Sequence, residues 1–172
     1  MTSPADTVLI IPFDLPAGLE TLRRRCVPYA TTGLAAHATV MYPFAESEAL
    51  DDVIHARLDK VISAHEEFAC RLAGRSRWPG VLFASVETDA PFRRLHADLI
   101  SAFPEFPLDN GGFEFVPHVT IAVGPAASVT ENASDPAWSD LPTVCRAARV
   151  DLIVRGETGW DVMWSFAMGR KI

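Results

Sequence analysis

The chain has 172 residues, of which 49% are hydrophobic and 22% are charged, and this predicts one globular domain spanning residues 1–172. Its formal net charge of −7 argues against a protein that grips long nucleic acid mainly through phosphate contacts, although a small phosphorylated substrate could bind in a locally positive groove. The cysteines have no metal-ligand spacing and the N-terminus has no basic and apolar leader, which predicts a cytoplasmic protein with reduced thiols and no membrane partner.

The first two predicted elements are a buried strand and a helix. The apolar run at residues 7–13 predicts the strand. Asp14 can cap the helix, with Pro16 in its first turn and Leu19 and Leu22 on its inner face. Three consecutive arginines follow near the helix C-terminus, where the helix dipole explains the positive charge better than phosphate binding does.

Residues 36–44 predict a strand with one polar and one apolar face. Side chains two residues apart share a face of a strand, so His37 and Thr39 lie side by side. The other face consists of apolar residues, namely Ala36, Ala38, Val40, Tyr42 and Phe44. Such a strand suits the wall of a groove, although an ordinary amphipathic strand has the same pattern.

The next predicted elements are a long helix and a hairpin. Residues 47–65 predict an amphipathic helix that begins at Ser47. Gly and Pro at residues 74–80 predict a hairpin loop between two strands. That loop carries two arginines and a tryptophan, which could hold a phosphate and stack a base: Arg75, Arg77 and Trp78. A solvated loop with an incidental tryptophan is the alternative.

The His-x-Thr pattern occurs a second time. Pro91 opens a third helix, and residues 115–124 then predict a strand with His118 and Thr120 on its polar face. The two motif histidines are 81 residues apart, roughly half the chain, which indicates two diverged half-domain repeats. Two such strands among only five histidines favour a functional pair over two unrelated amphipathic strands.

The C-terminal part completes the fold prediction. Residues 125–143 predict an irregular surface excursion with one short helix, and residues 150–154 and 160–168 predict two strands. The many hairpin-spaced strand pairs argue against a doubly wound parallel sheet. We therefore expect an α+β fold with mainly antiparallel sheets and helices on their outer faces.

Two histidines that face one groove suit general acid–base catalysis near neutral pH. One removes a proton from the nucleophile and the other protonates the leaving group, while each neighbouring threonine can donate a hydrogen bond to a nonbridging phosphate oxygen. No carboxylate–histidine ligand set is visible, so we expect neither a metal nor a cofactor. The matching chemistry is phosphodiester hydrolysis or transesterification, with a cyclic phosphate as a small substrate.

The strings A-H-A-T-V-M-Y-P-F and F-V-P-H-V-T-I-A-V-G resemble the paired His-x-Thr-x signatures of the 2H phosphoesterase superfamily, and within it the bacterial 2′-5′ RNA ligase-like cyclic phosphodiesterases. The opening strand, the Phe103-Pro104 loop and the closing pair of strands are similar too. The resemblance implies a bilobal α+β fold with a pseudo-two-fold axis and a central cleft. It also implies a catalytic pair and a pair of phosphate binders, respectively His37 with His118 and Thr39 with Thr120.

Three hypotheses follow. The leading one is a metal-independent, monomeric phosphoesterase that acts on 2′,3′-cyclic phosphates or 2′-5′ phosphodiesters of small phosphorylated nucleotides or RNA ends. The second is a module that binds a nucleotide or RNA end without turnover. The third, a metal-dependent hydrolase, is disfavoured because histidine and acidic residues do not cluster at ligand spacing.

Overall fold

The structure is a computed structural model that describes residues 6–106, 114–125 and 130–169. The strands of the described chain are β1 Thr7–Phe13, β2 Ala36–Met41, β3 Phe68–Trp78, β4 Val81–Val86, β5 His118–Val123, β6 Thr143–Ala147, β7 Arg149–Arg155 and β8 Trp160–Ala167. They form one curled, antiparallel sheet in the order β6-β3-β4-β5-β2-β1-β7-β8. The helices are α1 Ala17–Cys26, α2 Asp52–Ser63, α3 Ala90–Ala102 and α4 Thr130–Ala133. The predicted α+β fold with antiparallel strands is confirmed.

The sheet consists of two halves that meet where β2 pairs with β5. In each half the innermost strand carries a His-x-Thr motif, and its outer neighbour is the strand that precedes it in the chain by one long helix. The two units are β1-α1-β2 and β4-α3-β5. This arrangement matches the pseudo-two-fold organisation that the repeated motif predicted.

The main core lies on the side of the sheet that faces α1, α2 and α3. Alternate residues of the central strands point to it, and each helix contributes one apolar stripe. Fully buried members from these elements are Leu9, Ile11, Ala38, Val119, Ile121, Leu58, Leu95 and Leu99. One sheet face packs on this core. The residues that alternate with the buried ones along β2 and β5 must therefore point to the other face.

The predicted helix at residues 47–65 is wrong at its start. A short 3₁₀ turn occupies Ser47–Ala49, and α2 begins only at Asp52. Its N-cap is Asp51, whose carboxylate accepts from the Ile54 amide at 2.8 Å and so satisfies an otherwise unpaired N–H. The Ser47 side chain instead donates to Asp6 at 2.8 Å.

Other boundaries also differ from the prediction. The N-cap of α1 is Pro16 rather than Asp14, and it makes no side-chain capping bond. β3 runs through Trp78, so the hairpin loop is only Pro79 and Gly80, where a φ of 75° suits glycine. β6 was not predicted, because its few hydrophobic residues are recognisable as a strand only through pairing with β3.

Two predicted irregular segments, the loop that begins at Phe103-Pro104 and residues 125–143, lie partly outside the described residues. Within the described part of the second, α4 confirms the expected short helix. In the described chain, no helix combines the length and the apolar character needed to cross a membrane.

Candidate active site

The register of β2 and β5 brings the two motifs together. Ala38 pairs with Val119, and these are the central residues of the two His-x-Thr triplets. Since the strands are antiparallel, His37 then lies opposite Thr120, and Thr39 lies opposite His118. The two histidines are diagonal neighbours on one face, with backbone positions about 7–8 Å apart. We call the sheet face that carries these four partly exposed side chains the histidine face.

Both imidazoles are held in the same way by their own strands. His37 Nδ1 lies 2.9 Å from the Ala35 carbonyl oxygen, and His118 Nδ1 lies 2.8 Å from that of Val116. A carbonyl oxygen can only accept, so in the neutral rings we assign the proton to Nδ1. Nε2 of each ring is then the nitrogen with a free lone pair, which a general base requires.

Both histidines have a lowered pKa. Burial lowers the pKa of His37, the hydrogen bond to Ala35 opposes this shift, and the charges of Arg23 and His118 add to it. Burial likewise lowers the pKa of His118 against the hydrogen bond to Val116. Repulsion between the two rings disfavours protonation of both at once. When the pair is protonated, one ring therefore carries the charge while the other stays neutral.

Arg23 of the predicted arginine triplet has a different environment from a solvated helix end. It is buried, donates to Glu20 through two nitrogens at 2.9 Å, and donates to the Leu34 carbonyl at 2.8 Å. Its guanidinium therefore serves the packing between α1 and the loop before β2. Its positive charge also helps to lower the pKa of His37, after the larger effect of burial.

Trp78 lies against His118. Their ring centroids are 4.7 Å apart with nearly perpendicular planes, and Phe83 contacts the same imidazole at 5.2 Å. Trp78 and Phe83 also contact each other at 4.2 Å, and 40% of Trp78 stays exposed. The two aromatic rings thus form a wall beside one histidine. The sequence analysis did not single out Phe83, because in the sequence it is only one of several apolar strand residues.

Arg75 and Arg77 are strand residues of β3 rather than loop residues. They pair with Ala84 and Leu82, which point to the main core, whereas Trp78 pairs with Val81. Arg75 donates to the Ala133 carbonyl of α4. By alternation the two arginines share the core-side face, so of the three predicted substrate contacts only Trp78 is brought to the histidine face.

The other half of the sheet has its own apolar cover on the histidine face. Val8, Ile10, Leu34 and Ile153 form a second, smaller core cluster, against which Tyr29 and Trp160 pack. Ile10 pairs with Thr39, so this cluster lies directly beside the first motif. The first motif is therefore flanked by an apolar cluster, whereas the aromatic wall of Trp78 and Phe83 lies beside His118 of the second.

Asp151 is a buried carboxylate on the same face that the sequence analysis did not single out. It pairs with Ile10, is 3% exposed, and accepts from Ser165 Oγ at 2.7 Å and from Arg149 Nε at 3.0 Å. A charged residue inside the apolar run 150–154 was the available signal, because a buried carboxylate needs a partner.

Within residues 6–106, 114–125 and 130–169, no three His, Cys, Asp or Glu side chains are grouped so that they could hold a metal ion.

Comparison with known proteins places the chain in a family. The sequence pattern of the 2′-5′ RNA ligase superfamily matches residues 11–159. This match confirms the resemblance found from the two motifs. No curated protein matches the chain in sequence.

Solved structures share the fold at low sequence identity. The Thermus thermophilus protein TT0787 is 18% identical with a TM-score of 0.69, covering 97% of this chain and 100% of its own. E. coli LigT complexed with 3′-AMP is 15% identical with a TM-score of 0.61, covering 98% and 100%. Kluyveromyces marxianus Usb1 with uridine monophosphate is 12% identical with a TM-score of 0.52, covering 95% and 98%.

Proposed function

Because the chain belongs to the 2′-5′ RNA ligase superfamily, we propose that it is a metal-independent phosphoesterase for 2′,3′-cyclic phosphates or 2′-5′ phosphodiesters of nucleotides or RNA ends. The observation that carries this proposal is the diagonal placement of His37 and His118 on adjacent strands, each with Nδ1 bound to a backbone carbonyl. Two imidazoles with accessible Nε2 atoms can flank a single phosphate and act on its opposite sides.

In this mechanism one histidine starts neutral and the other charged. For a 2′,3′-cyclic phosphate, Nε2 of the neutral ring takes a proton from water as the water oxygen bonds to phosphorus. The charged ring gives its Nε2 proton to the ribose oxygen as the phosphorus–oxygen bond breaks, and the product is a phosphomonoester. The protonation states of the two rings are then exchanged, and proton transfer with solvent restores them.

Thr39 and Thr120 are the proposed phosphate binders. Each hydroxyl lies beside one histidine along its strand and opposite the other histidine across the strand pair, so both can donate to nonbridging oxygens. Negative charge grows on these oxygens in the transition state, which is where fixed donors accelerate a reaction. The near-symmetry of the pair leaves the orientation of the substrate to decide which histidine is the base.

A nucleotide substrate is supported by the ligands of the structural neighbours, E. coli LigT with 3′-AMP and Usb1 with uridine monophosphate. In this chain the wall of Trp78 and Phe83 beside His118 offers an aromatic surface for a base. We therefore propose Trp78 as a contact for the nucleoside part of the substrate.

The test is turnover of adenosine 2′,3′-cyclic phosphate by the purified chain in the presence of EDTA. We expect conversion to adenosine monophosphate at an unchanged rate when the chelator is added, because no step requires a metal. Binding of the nucleotide without any turnover would favour the second hypothesis, a nucleotide or RNA-end binding module. Loss of activity with EDTA and its recovery with a divalent cation would overturn the metal-independent mechanism.

A further inference from the structure

Arg149 lies on the histidine face and is anchored by a buried carboxylate. Its Nε lies 3.0 and 3.2 Å from the two carboxylate oxygens of Asp151, which is 3% exposed. Asp151 also accepts from Ser165 across the β7–β8 pair. The Arg149 side chain itself is 55% exposed. A buried carboxylate therefore fixes the Nε atom of a guanidinium whose outer part reaches toward solvent.

The strand register relates this guanidinium to the catalytic pair. Asp151 pairs with Ile10, and Pro12 of the same β1 strand pairs with His37. Arg149 precedes Asp151 by two residues, so it shares the histidine face and lies level with Pro12. β7 is two strands away from β2, which separates the Arg149 and His37 backbones by roughly 10 Å.

An open cavity adjoins Arg149. It measures about 340 Å³, and Pro12, Ala35 and Arg149 are among the residues that line it. Ala35 also supplies the carbonyl that holds the His37 imidazole. The cavity therefore reaches from Arg149 to the residue whose carbonyl positions the His37 ring.

The donors of Arg149 are only partly used. Nε donates to the Asp151 carboxylate, whereas Nη1 and Nη2 have no hydrogen-bond acceptor among the described residues. Arg146 lines the same cavity, but it is paired with Glu67. A guanidinium fixed at one edge and open at the other is preorganised for two-pronged binding of a phosphate.

We propose that Arg149 binds a second phosphate of the substrate, at the 5′ position of the nucleotide whose 2′,3′-cyclic phosphate lies between His37 and His118. The inference rests on the proposed function and narrows its substrate class. The preferred substrate is a 5′-phosphorylated nucleotide or the 3′ end of an RNA chain, rather than a cyclic mononucleotide with a free 5′-hydroxyl. The buried Asp151 is the positioning residue that holds the guanidinium in place.

The experiment compares two substrates in the same protein preparation, adenosine 2′,3′-cyclic phosphate with a 5′-hydroxyl or with a 5′-phosphate. We expect the 5′-phosphate to raise kcat/KM about tenfold in the wild type, as one charge-assisted contact can. In Arg149→Gln this ratio should fall to about one, and raising the salt to about 0.5 M should shrink it in the wild type. Partial unfolding lowers both rates equally and leaves the ratio unchanged.

Arg155→Gln is the matched control. Arg155 lies on the same strand, but its guanidinium stacks on Trp160 at the far end of β7, so the ratio should stay at its wild-type value. A wild type without preference for the 5′-phosphate, or an Arg149→Gln variant that keeps it, would overturn the inference while leaving the phosphoesterase proposal intact.

If neither substrate is turned over, the proposed function fails and the Arg149 site is tested by binding alone. Calorimetry with adenosine 2′-phosphate and adenosine 2′,5′-bisphosphate then replaces the assay. We expect the bisphosphate to bind about tenfold more tightly to the wild type, and this advantage to be lost in Arg149→Gln. Equal affinities of the wild type for the two nucleotides would overturn the inference.

Discussion

His37 and His118 donate from Nδ1 to a neutral backbone carbonyl rather than to a carboxylate. A carboxylate would stabilise the imidazolium and raise the pKa of the ring, whereas the carbonyl orients the ring and raises its pKa by less than burial lowers it. The rings thus stay neutral readily and give up a proton readily when charged. Both properties suit a pair that must exchange the roles of base and acid.

We expect His37→Ala and His118→Ala each to lower kcat by about 10²–10⁴-fold, because acid and base act in one step. The double variant should lose less than the product of the two. Thermal unfolding should be nearly unchanged, since both side chains are partly exposed on the face away from the main core. His65→Gln is the control, because His65 follows α2 and pairs with Asp98 of α3, away from the histidine face. Near-wild-type rates in either alanine variant would refute the paired mechanism.

Thr39→Ala and Thr120→Ala should each lower kcat by about tenfold, which is milder because each removes one hydrogen bond to the phosphate. Thr39→Ser and Thr120→Ser keep the hydroxyl and should restore most of the rate. Steady-state kinetics on adenosine 2′,3′-cyclic phosphate measures both effects. Serine variants as slow as the alanine variants would show that the methyl group, and not the hydroxyl, matters.

Trp78→Ala should raise KM for adenosine 2′,3′-cyclic phosphate about tenfold, because stacking of one base on an aromatic ring contributes about 1–3 kcal/mol. Ribose 2′,3′-cyclic phosphate, which has no base, should be affected much less. Arg77→Gln is the matched control on the opposite face of the same strand. Equal losses on both substrates would mean that Trp78 only supports His118.

At the level of elements, the pairing of the two motif strands depends on a residue outside them. Extending the register from Ala38 and Val119 places Pro117 opposite Val40, and proline has no N–H to donate. His96 of α3 supplies a donor instead, with Nδ1 2.6 Å from the Val40 carbonyl oxygen. Its ring also stacks on Phe115 at 4.0 Å, just before the second motif. One side chain thus contacts both motif segments.

His96→Phe should destabilise the protein by about 1–3 kcal/mol, because it keeps the ring but leaves the buried Val40 carbonyl without this donor. His96→Asn keeps a donor near the Nδ1 position and should recover part of the loss, although it removes the stacking on Phe115. Urea unfolding of the two variants and the wild type measures the difference. If His96→Phe were as stable as the wild type, the hydrogen bond to Val40 would not contribute to the free energy of unfolding.

At the scale of the whole molecule, three histidines couple stability to pH. Burial lowers the pKa of His37, His96 and His118 relative to the ordinary value of about 6.5. The unfolded chain then binds more protons than the folded chain at mildly acidic pH. The stability from these groups is therefore complete above about pH 6.5 and is lost as the pH falls through their folded pKa values.

We expect the free energy of unfolding to decrease between about pH 7 and pH 5, the range in which histidines titrate. Urea unfolding at several pH values measures this slope. The slope should be smaller in the double variant His37→Ala/His118→Ala, because two of the three contributing rings are gone. A pH-independent stability over this range, or an unchanged slope in the double variant, would contradict the linkage.

Local patterns determined much of this protein from its sequence alone. The period-two alternation of residues 36–44 and 115–124 predicted which side chains face the core and which carry chemistry, because alternation is a property of a single strand. The repeat of the motif likewise predicted two related halves. Each motif can be recognised from residues that are close together along the chain, without knowing how the chain folds.

Only the tertiary structure decided how these strands meet. The pairing of Ala38 with Val119 makes the histidines diagonal neighbours, and the β3–β4 register turns Arg75 and Arg77 away from them. β6 exists only through its pairing with β3, and Asp151 is placed on the histidine face through the pairing of β7 with β1. Pairing between strands depends on backbone groups and burial contributed from far along the chain, and no local pattern encodes which partner will supply them.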